Sequence, residues 1–301
     1  MQPLFFSLLL ATVVASLSTF SIPQTVFDDL VLYTKYSSAA YMLYCPRPLG
    51  NHLIRTFGFF NTHAFIARDD ARQELVVVYR GTDSMKDAFT DAEILLLPIE
   101  KDLAGVKAHR GFRNAHNSIS EDVLATVAAQ LQKFPRYSLV VTGHSLGGAV
   151  ASLAAPFLKR GLNDTLGLKP KIRLFTFGQP RVGNPEFVHY VEEHIGVENI
   201  FRAVHRSGMA HFHYSGLQTT FTDYIPKIPR LFVGYQHFAT EYWQFETWPP
   251  TPDDVTRCVS GEDPSCSAST GSGLPFPDLV SHGLYFGQVM VPPNPGLCIG
   301  I

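Results

Sequence analysis

The sequence has 301 residues, with 24 Lys and Arg residues against 26 Asp and Glu residues, which gives a formal net charge of −2. Hydrophobic residues make up 46% of the chain and charged residues 17%, so the composition excludes an intrinsically disordered protein. Because the chain has no excess of basic residues to neutralise phosphates, we expect no nucleic-acid binding. The length is sufficient for one large hydrophobic core or for two small domains.

The N-terminal region contains an apolar run over residues 4–15 (LFFSLLLATVVA). A run of about a dozen residues is shorter than the roughly 20 residues that span a bilayer, and it matches the apolar part of a signal peptide. We predict a signal peptide over residues 1–18, with an approximate cleavage site, and a secreted domain over residues 19–301. Because no basic residue precedes the run, a buried N-terminal helix is the alternative. No later run reaches 18 apolar residues, so we expect no integral membrane segment after cleavage.

Short β-rich runs alternate with segments of helical periodicity along the chain. In chain order, the predicted elements are a helix over 25–43, strands over 63–68 and 75–80, a helix around the apolar stripe Ile119, Val123, Val127 and Leu131, a strand over 139–142, a helix over 148–160, a strand over 172–177, a helix over 185–195 and a strand over 200–204. Pro156 is expected to kink or shorten its helix. The alternation predicts a single-domain α/β fold with a mostly parallel central sheet.

Four cysteines follow the N-terminal run, at Cys45, Cys258, Cys266 and Cys298. An even number of cysteines in a secreted chain predicts two disulfides, and four cysteines allow three pairings. The turn-rich segment between Cys258 and Cys266 makes a local bridge easy to form, which leaves Cys45 to pair with Cys298. No C-x-x-C spacing supports a zinc site, so we expect no metal. Asn163 begins an Asn-Asp-Thr sequon and is the predicted glycosylation site.

The main chemical motif is G-x-S-x-G over residues 143–147 (GHSLG). The pattern alone matches by chance in roughly one chain in ten of this length. Here a β-rich run precedes it and a helical pattern follows, which is the strand–turn–helix context of a nucleophile elbow. The motif therefore predicts Ser145 as a nucleophile at a helix N-terminus. The backbone N–H of Leu146 is the predicted oxyanion donor, because helix N-termini favour negative charge.

At these residues the chain resembles the fungal secreted class 3 triacylglycerol lipases and the related feruloyl esterases, which have the α/β-hydrolase fold. The resemblance extends from about Tyr36 to Cys298. It is carried by five segments in the family's order: residues 79–83 (YRGTD), 109–112 (HRGF), 142–148 (TGHSLGG), 177–184 (FGQPRVGN) and 282–287 (HGLYFG).

The resemblance implies a catalytic triad in the chain order Ser, Asp and His. The base is implied to be His282, which precedes the Tyr-Phe-Gly of the last segment, and the acid is implied to be Asp223, which precedes a Pro-x-apolar-Pro stretch. Thr82 is implied to donate its backbone N–H and its hydroxyl to the oxyanion. His144 is interpreted as structural. A triad of this kind needs no cofactor and no metal.

The sequence departs from the family pattern directly before the predicted acid. About sixteen additional residues, 206–221 (RSGMAHFHYSGLQTTF), separate the strand over 200–204 from Asp223. We interpret this segment either as a loop insertion or as a retained intron; a peptide from it in secreted protein would exclude the intron. A natural insertion beside Asp223 is expected to put the geometry of the triad at risk.

The resemblance also implies a lid after the first oxyanion residue. Met85, Ala88 and Phe89 are spaced for one face of a short amphipathic helix. Such a lid covers apolar surface in water and opens at a lipid interface, whereas the alternative is a permanently packed surface helix. Residues 94–97 (ILLL) add an apolar wall, which favours acyl chains over a polar aromatic acid.

The function that these residues predict is a secreted, monomeric serine esterase that cleaves acylglycerols at an oil–water interface. The alternative within enzymes is a feruloyl-type or general carboxylesterase. The alternative outside enzymes is a binding protein with impaired catalysis, which the insertion before Asp223 would favour if it displaced the acid.

Overall fold

The computed structural model describes residues 21–59, 62–82, 94–210, 219–245, 247–270 and 279–299. The predicted signal peptide over residues 1–18 lies outside the described residues. The predicted lid residues Met85, Ala88 and Phe89 also lie outside them.

The described ranges contain α-helices and strands that alternate through most of the chain. The helices are α1 Gln24–Ala39, α2 Arg110–Asn117, α3 Ser120–Lys133, α4 Leu146–Arg160, α5 Pro185–Ile195 and α6 Leu279–His282. The strands are β1 His52–Phe59, β2 Thr62–Asp69, β3 Glu74–Tyr79, β4 Leu96–Pro98, β5 Lys107–His109, β6 Ser138–His144, β7 Ile172–Phe177, β8 Ile200–Ala210, β9 Thr219–Thr222, β10 Glu241–Phe245, β11 Val255–Arg257, β12 Leu284–Tyr285 and β13 Gln288–Val289. None of these described helices is both long and apolar enough to cross a bilayer.

A nine-stranded sheet, counted within the described residues, organises the fold. Its strand order is β1-β2-β3-β6-β7-β8-β10-β11, and β9 pairs with β8 outside this series. The central strands β3, β6, β7, β8 and β10 are parallel to one another, whereas β1, β2 and β11 pair antiparallel at the two edges. The prediction of an α/β fold with a mostly parallel central sheet is confirmed.

Helices cover both faces of the sheet, so the central strands are buried throughout. Leu75 and Val77 of β3 belong to a core that also contains buried residues of α3 and α4. Val76 and Val78 point to the opposite face and belong to a second core, which includes α1. Alternate side chains of a strand face opposite sides, so a strand between two cores is expected to be apolar at most positions.

The predicted elements agree with the structure most closely in the buried centre. Strand β7 and helix α5 have the predicted bounds. Pro156 does not shorten its helix, because α4 continues to Arg160, and the alternative of a kink stays a prediction. The turn beyond Pro156 is held by packing, since Leu158 is fully buried. Strand β1 at the sheet edge and strand β10 were not predicted; the buried Glu241 and Gln244 of β10 interrupt any apolar run.

The described part of the additional segment before Asp223 forms two antiparallel strands that extend the sheet. Strand β8 continues outward to residue 210 and β9 returns along it, with Arg206 paired to Thr222. At the base of the two strands, the Asp223 backbone N–H donates to the carbonyl of His205 at 3.1 Å. The two strands therefore begin and end at adjacent positions of the sheet, and Asp223 lies beside His205 of β8.

Two disulfides are present among the described residues, Cys45–Cys298 and Cys258–Cys266. The first joins the segment after α1 to the C-terminal segment, with a sequence separation of 253 residues. The second closes a short loop after β11, with a separation of 8 residues. The two bridges therefore constrain the unfolded chain to very different extents.

We predict that the long-range bridge contributes more stability than the local one. In the chain-entropy model, separations of 253 and 8 residues give a difference of about 3 kcal/mol in the free energy of unfolding. Urea unfolding of the double variants Cys45→Ser/Cys298→Ser and Cys258→Ser/Cys266→Ser measures this difference. Equal losses in the two variants would contradict the prediction.

Candidate active site

Ser145 occupies a sharp turn between β6 and α4. Its backbone has φ 59° and ψ −129°, a region that residues with a Cβ rarely adopt. The side chain is fully buried, and the backbone N–H donates to the carbonyl of Phe177 at 2.8 Å. The strained turn is thus anchored to the neighbouring strand β7, which holds the serine at the carboxyl edge of the parallel strands.

Two glycines of the motif allow this turn to form. A Cβ on Gly147 would lie 2.2 Å from the carbonyl oxygen of Tyr79, and a Cβ on Gly143 would lie 2.4 Å from the carbonyl oxygen of Gly147. Both distances are far below van der Waals contact, and the atoms approached are backbone atoms that cannot move aside. The spacing of the motif therefore reflects a close approach of the elbow to the end of β3.

The segment after β3, which contains Thr82, lies against the same elbow. A Cβ on Gly81 would lie 2.1 Å from the hydroxyl of Tyr41 and 3.2 Å from the Cβ of Ser145. Thr82 is the next residue in the chain. On the other side of the serine, Leu146 is the first residue of α4, where backbone N–H groups have no acceptor within the helix. Both predicted oxyanion residues are therefore neighbours of Ser145.

Asp223 and His282 form a buried hydrogen-bonded pair. The Nδ1 atom of His282 lies 2.9 Å from both carboxylate oxygens of Asp223. The carboxylate also accepts from the hydroxyl of Tyr285 at 2.5 Å and from the backbone N–H of Ile225 at 2.9 Å. A buried carboxylate is costly unless several donors satisfy it, and these three groups do so.

The other ring nitrogen of His282 is available for chemistry. Its Nε2 atom is buried and has no hydrogen-bond partner among the residues that the structure describes. When Nδ1 donates to the carboxylate of Asp223, the neutral ring carries its lone pair on Nε2. A nitrogen in this state can accept a proton.

His144 connects the elbow to the backbone of His282. Its ring lies 4.5 Å from the His282 ring, measured between centroids, and its Nε2 lies 2.8 Å from the His282 carbonyl oxygen. Burial and the neighbouring His282 lower the pKa of His144 well below its usual value, so the ring is neutral. Nε2 therefore donates to the carbonyl, and Nδ1 accepts from the hydroxyl of Tyr41 at 2.7 Å.

Three residues that shape this site were not predicted from the sequence. Tyr285 and Gly178 both lie in segments that carry the family resemblance, but the motifs alone do not indicate their contacts. Gly178 has φ 59°, and a Cβ there would lie 2.9 Å from both Asp223 Oδ2 and His282 Cε1. Tyr41 belongs to no recognised segment. The contact between Tyr41 and His144 spans 103 residues, so only the folded chain reveals it.

Two other features, the predicted glycosylation site and a group of ligand-type side chains, lie outside this cluster. Asn163 is in the single turn that follows α4 and is partly buried. Glu241, Cys258 and Cys266 have ligand-type atoms within 4.8 Å of one another. The two sulfurs form a disulfide, and the carboxylate of Glu241 accepts from Arg202 and Ser267. These contacts account for the cluster without a metal.

We predict that Tyr285→Phe lowers the free energy of unfolding by about 1.5–3 kcal/mol, because it removes one donor to a buried carboxylate. Burial and the charge of Asp223 raise the pKa of Tyr285 well above its usual value, so the hydroxyl remains protonated and donates. The matched control is Tyr137→Phe, which removes a tyrosine–aspartate hydrogen bond of 2.7 Å at the surface. Urea unfolding should show a clearly smaller loss for the control, and equal losses would contradict the prediction.

Comparison with known proteins agrees with this architecture. A family model described as Lipase (class 3) matches residues 76–210. A lipase of Rhizomucor miehei is 30% identical over 288 residues, which cover 90% of this chain and 70% of that protein. A Fusarium solani protein named secreted mono- and diacylglycerol lipase 1 is 30% identical over 223 residues, 74% of this chain and 59% of that protein.

A solved structure is similar over most of the chain. The lipase from Rhizopus microsporus var. chinensis matches with a TM-score of 0.73 and 30% identity, and the match covers 89% of this chain and 90% of that one. The chain spans 59–70% of the length of the two relatives above, and nearly all of this crystallised lipase. The chain therefore belongs to the class 3 lipases, the family that its motifs resemble.

Proposed function

We propose that Ser145, Asp223 and His282 form the catalytic triad of a secreted lipase that cleaves acylglycerol esters through an acyl-enzyme. As a class 3 lipase, the chain is a carboxylic ester hydrolase. The observation that carries the assignment of residues is the buried Asp223–His282 pair beside a strained serine. The alternative of a binding protein with a displaced acid is disfavoured, because Asp223 remains in hydrogen-bond contact with His282 despite the insertion.

The proposed reaction has two halves. Ser145 attacks the ester carbonyl while Nε2 of His282 takes the hydroxyl proton, and the same nitrogen then gives this proton to the leaving alcohol. In the second half, a water molecule attacks the acyl-enzyme while Nε2 of His282 takes its proton. The return of this proton to Ser145 releases the fatty acid. Asp223 holds the imidazole in the tautomer with Nδ1 protonated and stabilises the imidazolium that forms in each half.

The developing oxyanion requires donors on the opposite side of the carbonyl. We assign this role to the N–H groups of Leu146 and Thr82 and to the hydroxyl of Thr82. Both residues flank Ser145, one at the start of α4 and one in the segment that packs against the elbow. Donors fixed in advance by the fold stabilise transition-state charge without reorganisation.

An apolar rim supports a lipid as the substrate. We define the rim as Ile94, Leu95, Leu231, Phe232 and Val233, all of which are substantially exposed, and Phe232 is 80% exposed. The 231–233 turn follows Asp223 closely in the chain, and a Cβ on Gly234 would lie 3.7 Å from Leu96, directly after Ile94 and Leu95. The rim thus lies near the carboxyl edge that holds the proposed triad, where an oil surface would cover it.

Secretion is proposed from two observations. The Fusarium relative is named as secreted, and the described residues contain two disulfides, which persist mainly in oxidising compartments. We propose that residues 1–18 are removed as a signal peptide and that residues 19–301 form a monomeric hydrolase domain. We further propose that Asn163 is glycosylated and that Met85, Ala88 and Phe89 belong to a lid.

We predict that Ser145→Ala lowers ester hydrolysis by at least about 1000-fold and abolishes labelling by a fluorophosphonate probe, because no nucleophile remains. The control Ser118→Ala removes an exposed serine hydroxyl and should retain activity and labelling. Full activity of Ser145→Ala would contradict the proposed triad. On the wild type, faster hydrolysis of methyl ferulate than of emulsified long-chain triacylglycerol would contradict the proposed substrate and favour a feruloyl-type esterase.

We predict that Leu231→Ser/Phe232→Ser lowers the rate on emulsified triacylglycerol about tenfold relative to the rate on a soluble short-chain ester. Transferring one large apolar side chain from water to oil is worth about 1.5–3 kcal/mol. The matched control is Leu166→Ser/Val197→Ser, which replaces two exposed apolar residues. Both residues precede parallel strands, β7 and β8, and so lie at the amino ends of the strands, away from the carboxyl ends that hold the triad. A similar change in both variants would show that the rim has no special part in lipid contact.

A further inference from the structure

The loop that carries Asp223 is fixed by hydrogen bonds to four consecutive carbonyl groups, at residues 226–229. His237 Nε2 lies 2.7 Å from the carbonyl oxygen of Pro226, Arg181 Nη1 donates to the carbonyls of Lys227 and Pro229 at 2.6 and 3.0 Å, and the Arg181 backbone N–H donates to Ile228 at 2.9 Å. These carbonyls lie at and just beyond the end of the single 3₁₀ turn Ile225–Lys227, where helix-terminal carbonyls need donors from outside the helix. These contacts therefore define the path of the chain just after the acid.

His237 acts as a donor because its ring is neutral. Burial and the nearby charges of Arg202 and Arg181 lower the pKa of His237 well below its usual value. A neutral ring with Nε2 against a carbonyl oxygen must carry its proton on Nε2. The ring contact with Pro226 is therefore a true hydrogen bond.

Glu262 accepts hydrogen bonds from both Arg181 and His237. Its carboxylate accepts from Arg181 Nε at 2.7 Å and from Arg181 Nη2 at 2.8 Å, a bidentate arrangement that fixes the plane of the guanidinium. The same carboxylate accepts from the backbone N–H of His237 at 2.9 Å. The side chains of Arg181 and Glu262 are 9% and 17% exposed, so solvent screens the pair only weakly.

Glu262 lies within the loop that the Cys258–Cys266 disulfide closes. Inside this loop, the Asp263 carboxylate accepts from the backbone N–H groups of Val259 and Ser265. A Cβ on Gly261 would lie 2.6 Å from the carbonyl oxygen of His237, so the loop packs closely against that residue. The disulfide thus closes a compact loop that presents Glu262 to Arg181 and His237.

We propose that Arg181 and Glu262 are positioning residues for Asp223, and that the Cys258–Cys266 disulfide serves activity by holding Glu262 in place. The inference rests on the proposed role of Asp223. Asp223 itself touches neither residue, and their effect passes through the carbonyls at 226–229. Loss of the Arg181–Glu262 pair should therefore displace the acid. A soluble short-chain ester does not require the apolar rim, so with such an ester the loss should appear in kcat.

The test is Glu262→Gln, which keeps the shape of the side chain and weakens the bidentate pair. With a soluble short-chain ester, we expect kcat to fall by about tenfold or more, since a displacement approaching 1 Å in a catalytic group can cost about 100-fold. We expect KM to change by less than about twofold, because the variant alters the acid and not the surface that binds ester. A folding defect alone would lower the amount of active enzyme, which titration with a fluorophosphonate measures separately.

The matched control is Glu100→Gln, which weakens a glutamate–arginine pair of 2.8 Å between Glu100 and Arg160, away from the acid loop. Its kcat should stay within about twofold of the wild type. The double variant Cys258→Ser/Cys266→Ser should reproduce the kcat loss of Glu262→Gln in its folded fraction. If the double variant does not fold, Glu262→Gln alone tests the positioning role.

Two outcomes would overturn the inference. One is a kcat for Glu262→Gln that matches Glu100→Gln per titrated site, and the other is a loss expressed mainly in KM. Asp223→Asn separates this failure from a failure of the proposed function. If Asp223→Asn is nearly inactive while Glu262→Gln is fully active, the triad stands and only the positioning role falls. If Asp223→Asn is fully active, the proposed acid is wrong.

Discussion

A buried negative charge on Asp223 is the constraint on which the rest of the structure depends. A carboxylate removed from water is tolerated only where donors surround it. Here His282, Tyr285 and the backbone N–H of Ile225 provide them, and each comes from a segment at the carboxyl edge of the sheet. Asp223 therefore binds two side chains that lie more than 50 positions later in the sequence, those of His282 and Tyr285. The second ring nitrogen of His282 remains for proton transfer.

The arrangement relies on backbone as much as on side chains. Ser145 is held in a strained conformation by close approach of Gly147 to the end of β3. His282 is held through its carbonyl by His144, the residue directly before the serine. The nucleophile and the base therefore share one support, so a movement of the elbow would move both partners together.

Sequence predicts best those features that depend on local pattern. Continuous apolar runs predicted β3 and β6 because strands covered on two faces are mostly apolar. The spacing of Gly143 and Gly147 predicted the elbow because the close approach permits no side chain. Strand β10 was missed because its buried Glu241 is satisfied by Arg202, a partner 39 residues away. Contacts of that kind leave no periodic trace in a single sequence.

The two paired strands before Asp223 lie beside a demanding site without disturbing it. Their base is closed by the hydrogen bond between residues 205 and 223. A segment anchored in this way can change in length at its tip while its ends stay fixed. The position is thus open to evolutionary elaboration, and descendants of this chain could acquire new surface there without a change in the position of Asp223.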